Sequence, residues 1–413
     1  MSIVLLRFRY IVVVLLFTVL LLALCLRPPH AGTVGFPDAA NSLARHVDAS
    51  RRKFNASPYT KDRSIYRVQN ETLGFQQVYM ISLPHRTDKR DAFALQAAFS
   101  EISYTQMDGV DGHEVPEKAL PHVGTWAIDR QVKTDKDGQT MEQSPNAIGC
   151  WRAHLNVAQR IVRERVATAL VFEDDADWDV AFKQQLVQFA RGSRVMLQTP
   201  DDKIPISPYG DGWDILWIGH CGTWVYPERR RRFFVIPNDP TVEPPQHRQN
   251  VKVPDMSYWE GPESDNKTRI VFKAGGGVCT ASYAISQQGA RKVLYYMSMV
   301  PFNKPVDWGL ANLCETKAYN FRCISVFPQL VGVSRPQGNT SKWSDIGYGA
   351  DNERKVENAN SQHLVYSTRL NMENMLAGNA IFESQYPDST PARMGIEEIG
   401  AAVGHVEVVD VED

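Results

Sequence analysis

The sequence predicts an α/β fold, in which a Rossmann-type sheet is flanked by helices. A short apolar run at Val78–Leu83 precedes a segment with helical periodicity, and a second strand follows that ends near Asp108. A strand, a helix and a strand within about 35 residues are typical of parallel pairing. Strands and helices then continue to alternate, with further strands predicted at Ala167–Asp175 and Trp213–Gly219.

Helix starts follow from capping residues. Thr87 or Asp88 can cap the first helix, and Ser144 precedes Pro145, a residue favoured in the first turn. Ser286 can cap a later helix. The remaining expectations are a strand at 278–286, a short helix beginning near Asp307 and one late strand at 323–334.

Composition limits the classes of protein that need be considered. The chain has 413 residues, 43% of them hydrophobic, which is enough for a sizeable core. The net charge is −2 and neither half is rich in lysine, so the sequence does not indicate nucleic-acid binding.

The N-terminus predicts a membrane anchor. Arg7 and Arg9 precede an apolar run from Tyr10 to Leu26, at the short end for a membrane span. Basic residues on the N-terminal side favour a cytoplasmic tail at 1–9 and a span at 10–26. A cleaved signal peptide is the competing interpretation. An anchor would place the rest of the chain in the lumen of the Golgi or endoplasmic reticulum, as a single-pass type II membrane protein.

Further boundaries are predicted from composition. Residues 27–72 are expected to form a stem, 73–349 a catalytic domain, and 350–413 a C-terminal extension with a mobile acidic tail. A proline-rich insertion at 221–270 interrupts the domain. It contains Arg229–Arg232, interpreted as a solvated loop or, alternatively, as a contact for a phosphate-bearing or acidic acceptor. The glycines of Ala274–Val278 are expected to form a flexible strand entrance or acceptor loop.

Glycosylation signals and cysteines agree with a secretory location. Beyond the apolar run, the number of cysteines is odd, and Cys314 and Cys323 are close enough to form a bridge. No C-x-x-C or Cys/His cluster has zinc spacing, so no structural zinc is expected. Four sequons could carry N-glycans, at Asn55, Asn70, Asn266 and Asn339.

Acidic residues follow the strand in the stretch ALVFEDDADWD. If the chain stayed extended, Glu173, Asp175 and Asp177 would share one side and Asp174 would point away. Clustered carboxylates at the end of a strand suit Mg²⁺ or Mn²⁺. The alternative is a solvated turn in which Asp177 or Asp179 caps a helix.

Four segments in order resemble glycosyltransferase family 25, which contains lipopolysaccharide and procollagen galactosyltransferases. They lie between Val78 and Ser334, and residues 221–270 have no counterpart. Ala153 replaces a serine that is usual in the second segment. The segments are VYMISLPHRTDKR, AIGCWRAHL, ALVFEDDA, and TASYAISQQGARKVL with PVDWGL.

The resemblance implies a GT-A-like mixed sheet and a nucleotide-sugar donor, UDP-galactose first. Glu173 and Asp175 would hold Mn²⁺ (or Mg²⁺) on the donor diphosphate, and Asp177 is a possible further ligand. The donor-binding candidates are Ile81, Ser82, Leu83, Arg86, Arg90, Asp108, His154 and Asp174. As alternatives to donor binding, Arg86 and Arg90 could be solvated, Asp108 could be a turn residue, and His154 could form a hydrogen bond within the core.

An inverting transfer needs a base for the acceptor hydroxyl, and Asp307 is the candidate. Its alternative role is to cap the following helix. The expected function is transfer of a hexose to a glycan or protein-linked acceptor. Three other classes stay open: a metal-dependent hydrolase, a glycosidase, and a non-catalytic luminal carbohydrate-binding protein that retains the fold.

Overall fold

A computed structural model describes residues 63–121, 143–200, 203–260, 266–300, 304–346, 354–399 and 403–410. The expected cytoplasmic tail (1–9), membrane span (10–26) and most of the stem lie outside these residues. In the described part, none of the helices combines the length and the apolar character that a membrane crossing requires.

Among the described residues, five helices of three or more turns accompany two short ones. Two predicted caps are confirmed: Ser144 Oγ accepts from the Ala147 amide (3.2 Å) and Ser286 Oγ from the Gly289 amide (3.0 Å). The helices are α1 Thr87–Phe99, α2 Pro145–Glu164, α3 Phe182–Leu197, α4 Gln287–Ser298, α5 Val306–Thr316, α6 Met372–Leu376 and α7 Ile396–Ile399.

The predicted cap of the first helix was wrong. Arg86 occupies the cap position without a side-chain capping bond, and Thr87 is already helical. The Asp88 carboxylate is instead bound by the Arg86 guanidinium at 2.9 Å.

The strands form one large sheet and three small ones. They are β1 Gln77–Ser82, β2 Thr105–Asp108, β3 Thr168–Glu173, β4 Ala176–Trp178, β5 Ile215–Gly219, β6 Gly222–Val225, β7 Arg230–Ile236, β8 Arg269–Val278, β9 Ser282–Ser286, β10 Cys323–Phe327, β11 Val331–Arg335, β12 Gly338–Asn339, β13 Lys355–Val356, β14 Asn360–Gln362, β15 Ile381–Glu383, β16 Arg393–Gly395 and β17 His405–Asp410.

The large sheet is mixed, which confirms the predicted α/β class. Its strand order is β17-β7-β8-β10-β5-β9-β3-β1-β2, and β6 also pairs with β8. β1 is parallel to both neighbours, β2 and β3, whereas β9 is antiparallel to β3 and β5. The carboxyl ends of β1, β2 and β3 therefore meet at one edge.

Apolar side chains on the two faces of this sheet form two cores. One core contains buried residues of α2, α4 and α5, and the other contains residues of α1 and α3. A third, smaller cluster surrounds Val365 and Tyr366 in the C-terminal part of the chain. Helices thus cover both faces of the sheet, as in other open α/β folds.

The segment 221–270 is part of the sheet and not a separate insertion. It supplies β6 and β7, which both pair with β8. The arginine run expected as a solvated loop enters β7 and pairs with β17, where Arg230 lies opposite Asp410. Residues 405–410, expected as a mobile tail, are therefore an edge strand.

Both predicted outer boundaries of the catalytic domain also require correction. Ile65 and Val68, placed in the stem, are fully buried in the core beside α3. Residues of the expected C-terminal extension surround Asp177, whose Oδ2 accepts from Ser361 Oγ (2.7 Å) and Ser367 Oγ (2.5 Å). The folded unit consequently includes both segments.

The structure contains two disulfides, and several of its strand limits differ from the predicted ones. The Cys314–Cys323 bridge is confirmed, a second bridge joins Cys221 to Cys279, and Cys150 is a free thiol. The predicted late strand is two strands, β10 and β11. Residues 274–278 belong to β8, and β9 starts only at Ser282, so the glycine run was wrongly interpreted as a loop.

We expect Asp177→Ala to destabilise the fold by about 3–5 kcal/mol, because it leaves several buried donors without their acceptor. Asp177 is fully buried, and its Oδ1 accepts from Gln96 Nε2 and the Trp178 amide, both at 2.8 Å. Urea unfolding of the full chain measures the loss. Asp91→Ala, at an exposed carboxylate of α1, is the control. Equal losses in the two variants would contradict this role for Asp177.

Candidate active site

A cavity of about 290 Å³ opens at the carboxyl ends of β1 and β3. Four parts of the chain form its walls: these strand ends with the turn after β2, the loop after β1 with the first turn of α1, the first half of α2, and residues 344–346. Its polar lining consists of Ser82, His85, Lys89, Asp111, His113, Asn146, Cys150, His154, Glu173, Asp174, Asp175, Ser344 and Asp345.

Two glycines allow α2 to approach the turn that follows β2. A Cβ on Gly149 would lie 2.3 Å from the Val110 carbonyl oxygen, and a Cβ on Gly112 would lie 1.6 Å from that of Pro145. Any larger residue would push α2 away from the sheet edge. The glycines therefore fix the distance from α2, which carries Cys150 and His154, to the acids at the end of β3.

Glu173 is the last residue of β3 and faces a polar wall. Its Oε1 accepts from Thr280 Oγ1 at 2.6 Å and lies 3.3 Å from His154 Nε2. Burial opposes the charge of this carboxylate, but the contacts with His154 and Thr280 outweigh it and hold the pKa of Glu173 below its usual range. Glu173 is thus kept as an anion.

Asp174 and Asp175 share cationic partners. Lys89 Nζ lies 3.1 Å from Asp174, 4.0 Å from Asp175 and 2.9 Å from Asp345, and Arg335 Nη1 lies 3.2 Å from Asp175. Burial raises the pKa of Asp174 to about 6, because Lys89 only partly offsets desolvation and the neighbouring Asp175 adds repulsion. Burial would lower the pKa of Lys89, but Asp175, Asp174 and Asp345 outweigh it and raise that pKa.

The predicted alternation of the acids was wrong because the extended chain stops at Glu173. Residues 174 and 175 form a turn, and β4 then joins a different sheet. Glu173, Asp174 and Asp175 consequently all line the cavity, so Asp174 does not point away. Asp177 lies in β4, is fully buried and accepts protein hydrogen bonds on both oxygens. It is not placed with the other three acids.

The donor-binding candidates on β1 and α1 divide into two groups. Ile81, Ser82 and Leu83 line the cavity, and His154 does so from α2. Among the described residues, the cavity lining does not include Arg86, Arg90 or Asp108.

Those last three residues have protein partners instead. Arg86 binds Asp88 and Asp345, and it donates to the Lys342 carbonyl at 2.8 Å. Arg90 donates to the Ser82 carbonyl and to Asp108, both at 2.9 Å. Both arginines therefore tether loops at the rim of the cavity.

Asp307 lies in the first turn of α5, after Pro305 at the cap position. Its Oδ2 accepts from the Cys279 amide (2.8 Å) and its Oδ1 from the Trp308 amide (2.9 Å). Burial raises its pKa, and the charge of Glu173 contributes in the same direction. Asp307 is not one of the described residues that line the cavity.

Several residues of the site were not predicted from the sequence, among them Lys89, Thr280 and Asp345. Lys89 is one position before Arg90 on α1, Thr280 lies in the β8–β9 turn, and Asp345 follows β12. No motif marks Thr280 or Asp345, because each reaches the acids only through the fold. The sequence did contain a signal for Lys89, because a lysine at the start of a helix can neutralise an acidic strand end beside that helix.

The carboxylates suit a hard divalent cation. Glu173, Asp174 and Asp175 offer oxygen ligands of the kind that Mg²⁺ and Mn²⁺ prefer, and all three line one cavity. Lys89 is shared by Asp174 and Asp175 and also contacts Asp345, so one lysine faces three carboxylates. The site therefore fits such an ion.

Three of the four sequons fall on described, exposed residues: Asn70, Asn266 and Asn339. Asn55 lies outside the described residues. Their glycosylation remains a prediction.

We expect Asp174→Asn to gain stability relative to the unmodified chain as the pH rises. The pKa of Asp174 in the folded chain, about 6, exceeds the usual aspartate pKa of 3.8, so ionising Asp174 between these pH values weakens the fold. The change in relative stability is at most about 3 kcal/mol between about pH 4 and pH 7. Urea unfolding with a chelator present measures it, and Asp91→Asn is the control. A difference that stays constant with pH would contradict the assignment.

Comparison with known proteins points to one family. Residues 75–198 match the family described as Glycosyltransferase family 25 (LPS biosynthesis protein). This segment contains β1 to β4, α1, α2 and the acids Glu173, Asp174 and Asp175.

Curated relatives are 23–25% identical to this chain over the aligned segments. Procollagen galactosyltransferase 1-A of Xenopus laevis is 25% identical over 57% of this chain and 31% of its own length. Procollagen galactosyltransferase 2 of Mus musculus is 23% identical over 67% of this chain and 38% of its own length. Inactive glycosyltransferase 25 family member 3 of Homo sapiens is 25% identical, over 54% and 29%.

The chain thus spans about a third of the length of these relatives. The matched segment nevertheless holds the strands and acids on which the sequence resemblance depends, and these matches confirm the resemblance to glycosyltransferase family 25.

Proposed function

We propose that this chain is a nucleotide-sugar-dependent glycosyltransferase that transfers a hexose to a glycan or protein-linked acceptor. Galactose is the leading candidate for the hexose. One observation carries the proposal. The family-matched segment gathers Glu173, Asp174 and Asp175 in one cavity at the carboxyl ends of parallel strands, the usual ligand position of an open α/β sheet.

Transfer requires one bond to form and one to break. The acceptor hydroxyl oxygen attacks the anomeric carbon of the donor sugar, and the bond from that carbon to the diphosphate oxygen breaks. The acceptor proton passes to a base, and the nucleoside diphosphate leaves with the bonding electrons. Stabilising the charge that develops on the leaving group is the main requirement.

A bound Mn²⁺ or Mg²⁺ would supply this charge stabilisation at the diphosphate. Glu173, Asp174 and Asp175 would hold the ion, and Lys89 adds a buried positive charge at the same wall. The backbone at Ile81–Leu83 offers polar groups to the nucleotide from the end of β1.

Asp307 is the proposed base of an inverting transfer. Burial raises its pKa, which makes its carboxylate a better proton acceptor. Its two backbone hydrogen bonds support the alternative role of anchoring the start of α5. The two roles differ in what they predict for Asp307→Asn.

The proposed location is the lumen of the Golgi or endoplasmic reticulum, with residues 10–26 as anchor. Two disulfides support an oxidising compartment, because such bonds rarely persist in the cytosol. Digestion of the chain by protease added outside sealed microsomes would contradict a luminal location.

A second candidate is a non-catalytic carbohydrate-binding protein. The name of the human relative describes that protein as inactive. For this chain, the two candidates separate on turnover: the second requires donor or glycan binding without release of nucleoside diphosphate.

We expect a screen of nucleotide sugars with the purified full chain to show Mn²⁺-dependent hydrolysis or transfer, UDP-galactose first. Asp175→Asn should lower the rate about 100-fold, because it removes a carboxylate from the cation site. Release of nucleoside diphosphate is the measurement. Asp91→Asn, at an exposed carboxylate of α1 that does not line the cavity, should keep full activity. The proposal fails if no donor binds, or if Asp175→Asn retains both rate and metal dependence.

Asp307→Asn should reduce transfer about 100- to 10,000-fold while nucleoside diphosphate still binds, since the amide cannot accept the acceptor proton. Initial rates and calorimetric binding give the two quantities. Retained transfer together with a lower melting temperature would instead assign Asp307 to anchoring α5.

A further inference from the structure

Three side chains of different chemistry meet in the wall of the cavity. Cys150, His154 and Glu173 place one ligand atom each within 4.8 Å of one another. Cys150 and His154 lie four residues apart on α2 and so face the same direction, while Glu173 ends β3. All three line the cavity, which leaves an open side toward bound ligands or solvent.

This ligand set differs from the carboxylate group beside it. Mn²⁺ and Mg²⁺ prefer oxygen ligands, whereas sulfur and imidazole nitrogen favour softer ions such as Zn²⁺. Three protein ligands with one open position are the usual arrangement of a zinc site that exchanges a fourth ligand. Residue spacing in the sequence does not reveal this ligand set, because Glu173 comes from a different element.

The surrounding hydrogen bonds orient two of the three ligands. His154 Nδ1 lies 3.0 Å from the buried Tyr283 hydroxyl; with a metal bound, Nδ1–H would donate a hydrogen bond to that hydroxyl and Nε2 would face the ion. Thr280 Oγ1 donates to Glu173 Oε1 at 2.6 Å and holds that carboxylate in place. Metal-binding histidines and carboxylates are typically fixed by such partners.

The local charge also favours a dication. The charges of Glu173, Asp307 and Asp175 act on Cys150. The thiol must lose its proton to bind a metal, and a dication stabilises the thiolate that results. The same acids that disfavour an isolated thiolate attract the ion.

We propose that Cys150, His154 and Glu173 form a Zn²⁺ site in the cavity wall. Because Glu173 belongs to both ligand sets, Zn²⁺ at this site draws Glu173 away from the oxygen-liganded ion. Zinc binding would therefore weaken the binding of Mn²⁺ or Mg²⁺ in the same cavity. Binding is measured directly, so the proposal does not depend on sugar transfer.

The test uses Co²⁺ as a spectroscopic substitute for Zn²⁺ on the purified full chain after chelator treatment. We expect one equivalent of Co²⁺ to produce sulfur-to-cobalt charge-transfer absorption, and Zn²⁺ to displace it. Cys150→Ser should abolish this absorption, and both Cys150→Ser and His154→Gln should weaken Zn²⁺ binding about 100-fold, since loss of a ligand should cost at least as much as loss of its supporting partner.

Asn146→Ala is the matched control, because Asn146 lies one turn before Cys150 on α2 and lines the same cavity. It should keep the absorption. Circular dichroism of each variant shows whether α2 is intact. The proposal is overturned if the unmodified chain gives no thiolate absorption, or if folded Cys150→Ser binds Zn²⁺ as tightly as Asn146→Ala.

Discussion

The arrangement of the site depends on how three adjacent carboxylates are accommodated at one sheet edge. Glu173, Asp174 and Asp175 repel one another, and their side chains are only 9–26% exposed, so solvent screens the repulsion in part. Lys89, Arg335 and the Thr280 hydroxyl each compensate a different part of this charge. The compensation brings together α1, the end of β11 and the β8–β9 turn, so elements distant in sequence converge on the same few atoms.

Incomplete compensation is what gives the site its chemistry. Lys89 is divided among three carboxylates, those of Asp174, Asp175 and Asp345, so it compensates each of them only in part. Arg86 and Lys89 both bind Asp345, so residues 342–345 are tied to the cavity rim. Asp345, which holds this segment, thus shares Lys89 with Asp174 and Asp175.

Sequence patterns predicted the features that depend on neighbouring residues. The strand and helix at 77–99, the Ser144 and Ser286 caps and the Cys314–Cys323 bridge all follow from local spacing. The acid cluster was also predicted, but not the side chains' directions, because alternation holds only while the strand continues. Thr280, Asp345 and the pairing of the arginine run with residues 405–410 could not be predicted, since they are contacts between distant segments.

The pairing of β17 with β7 also bears on solubility. Without β17, β7 would be the outer strand of the large sheet and would present unpaired amides beside Phe233 and Phe234, a pattern that invites strand addition by another molecule. β17 covers that row and exposes a short strand on which Glu407 and Asp410 interrupt the valines. Acids there repel a second copy of the same strand, so the acidic C-terminal segment protects the sheet against self-association.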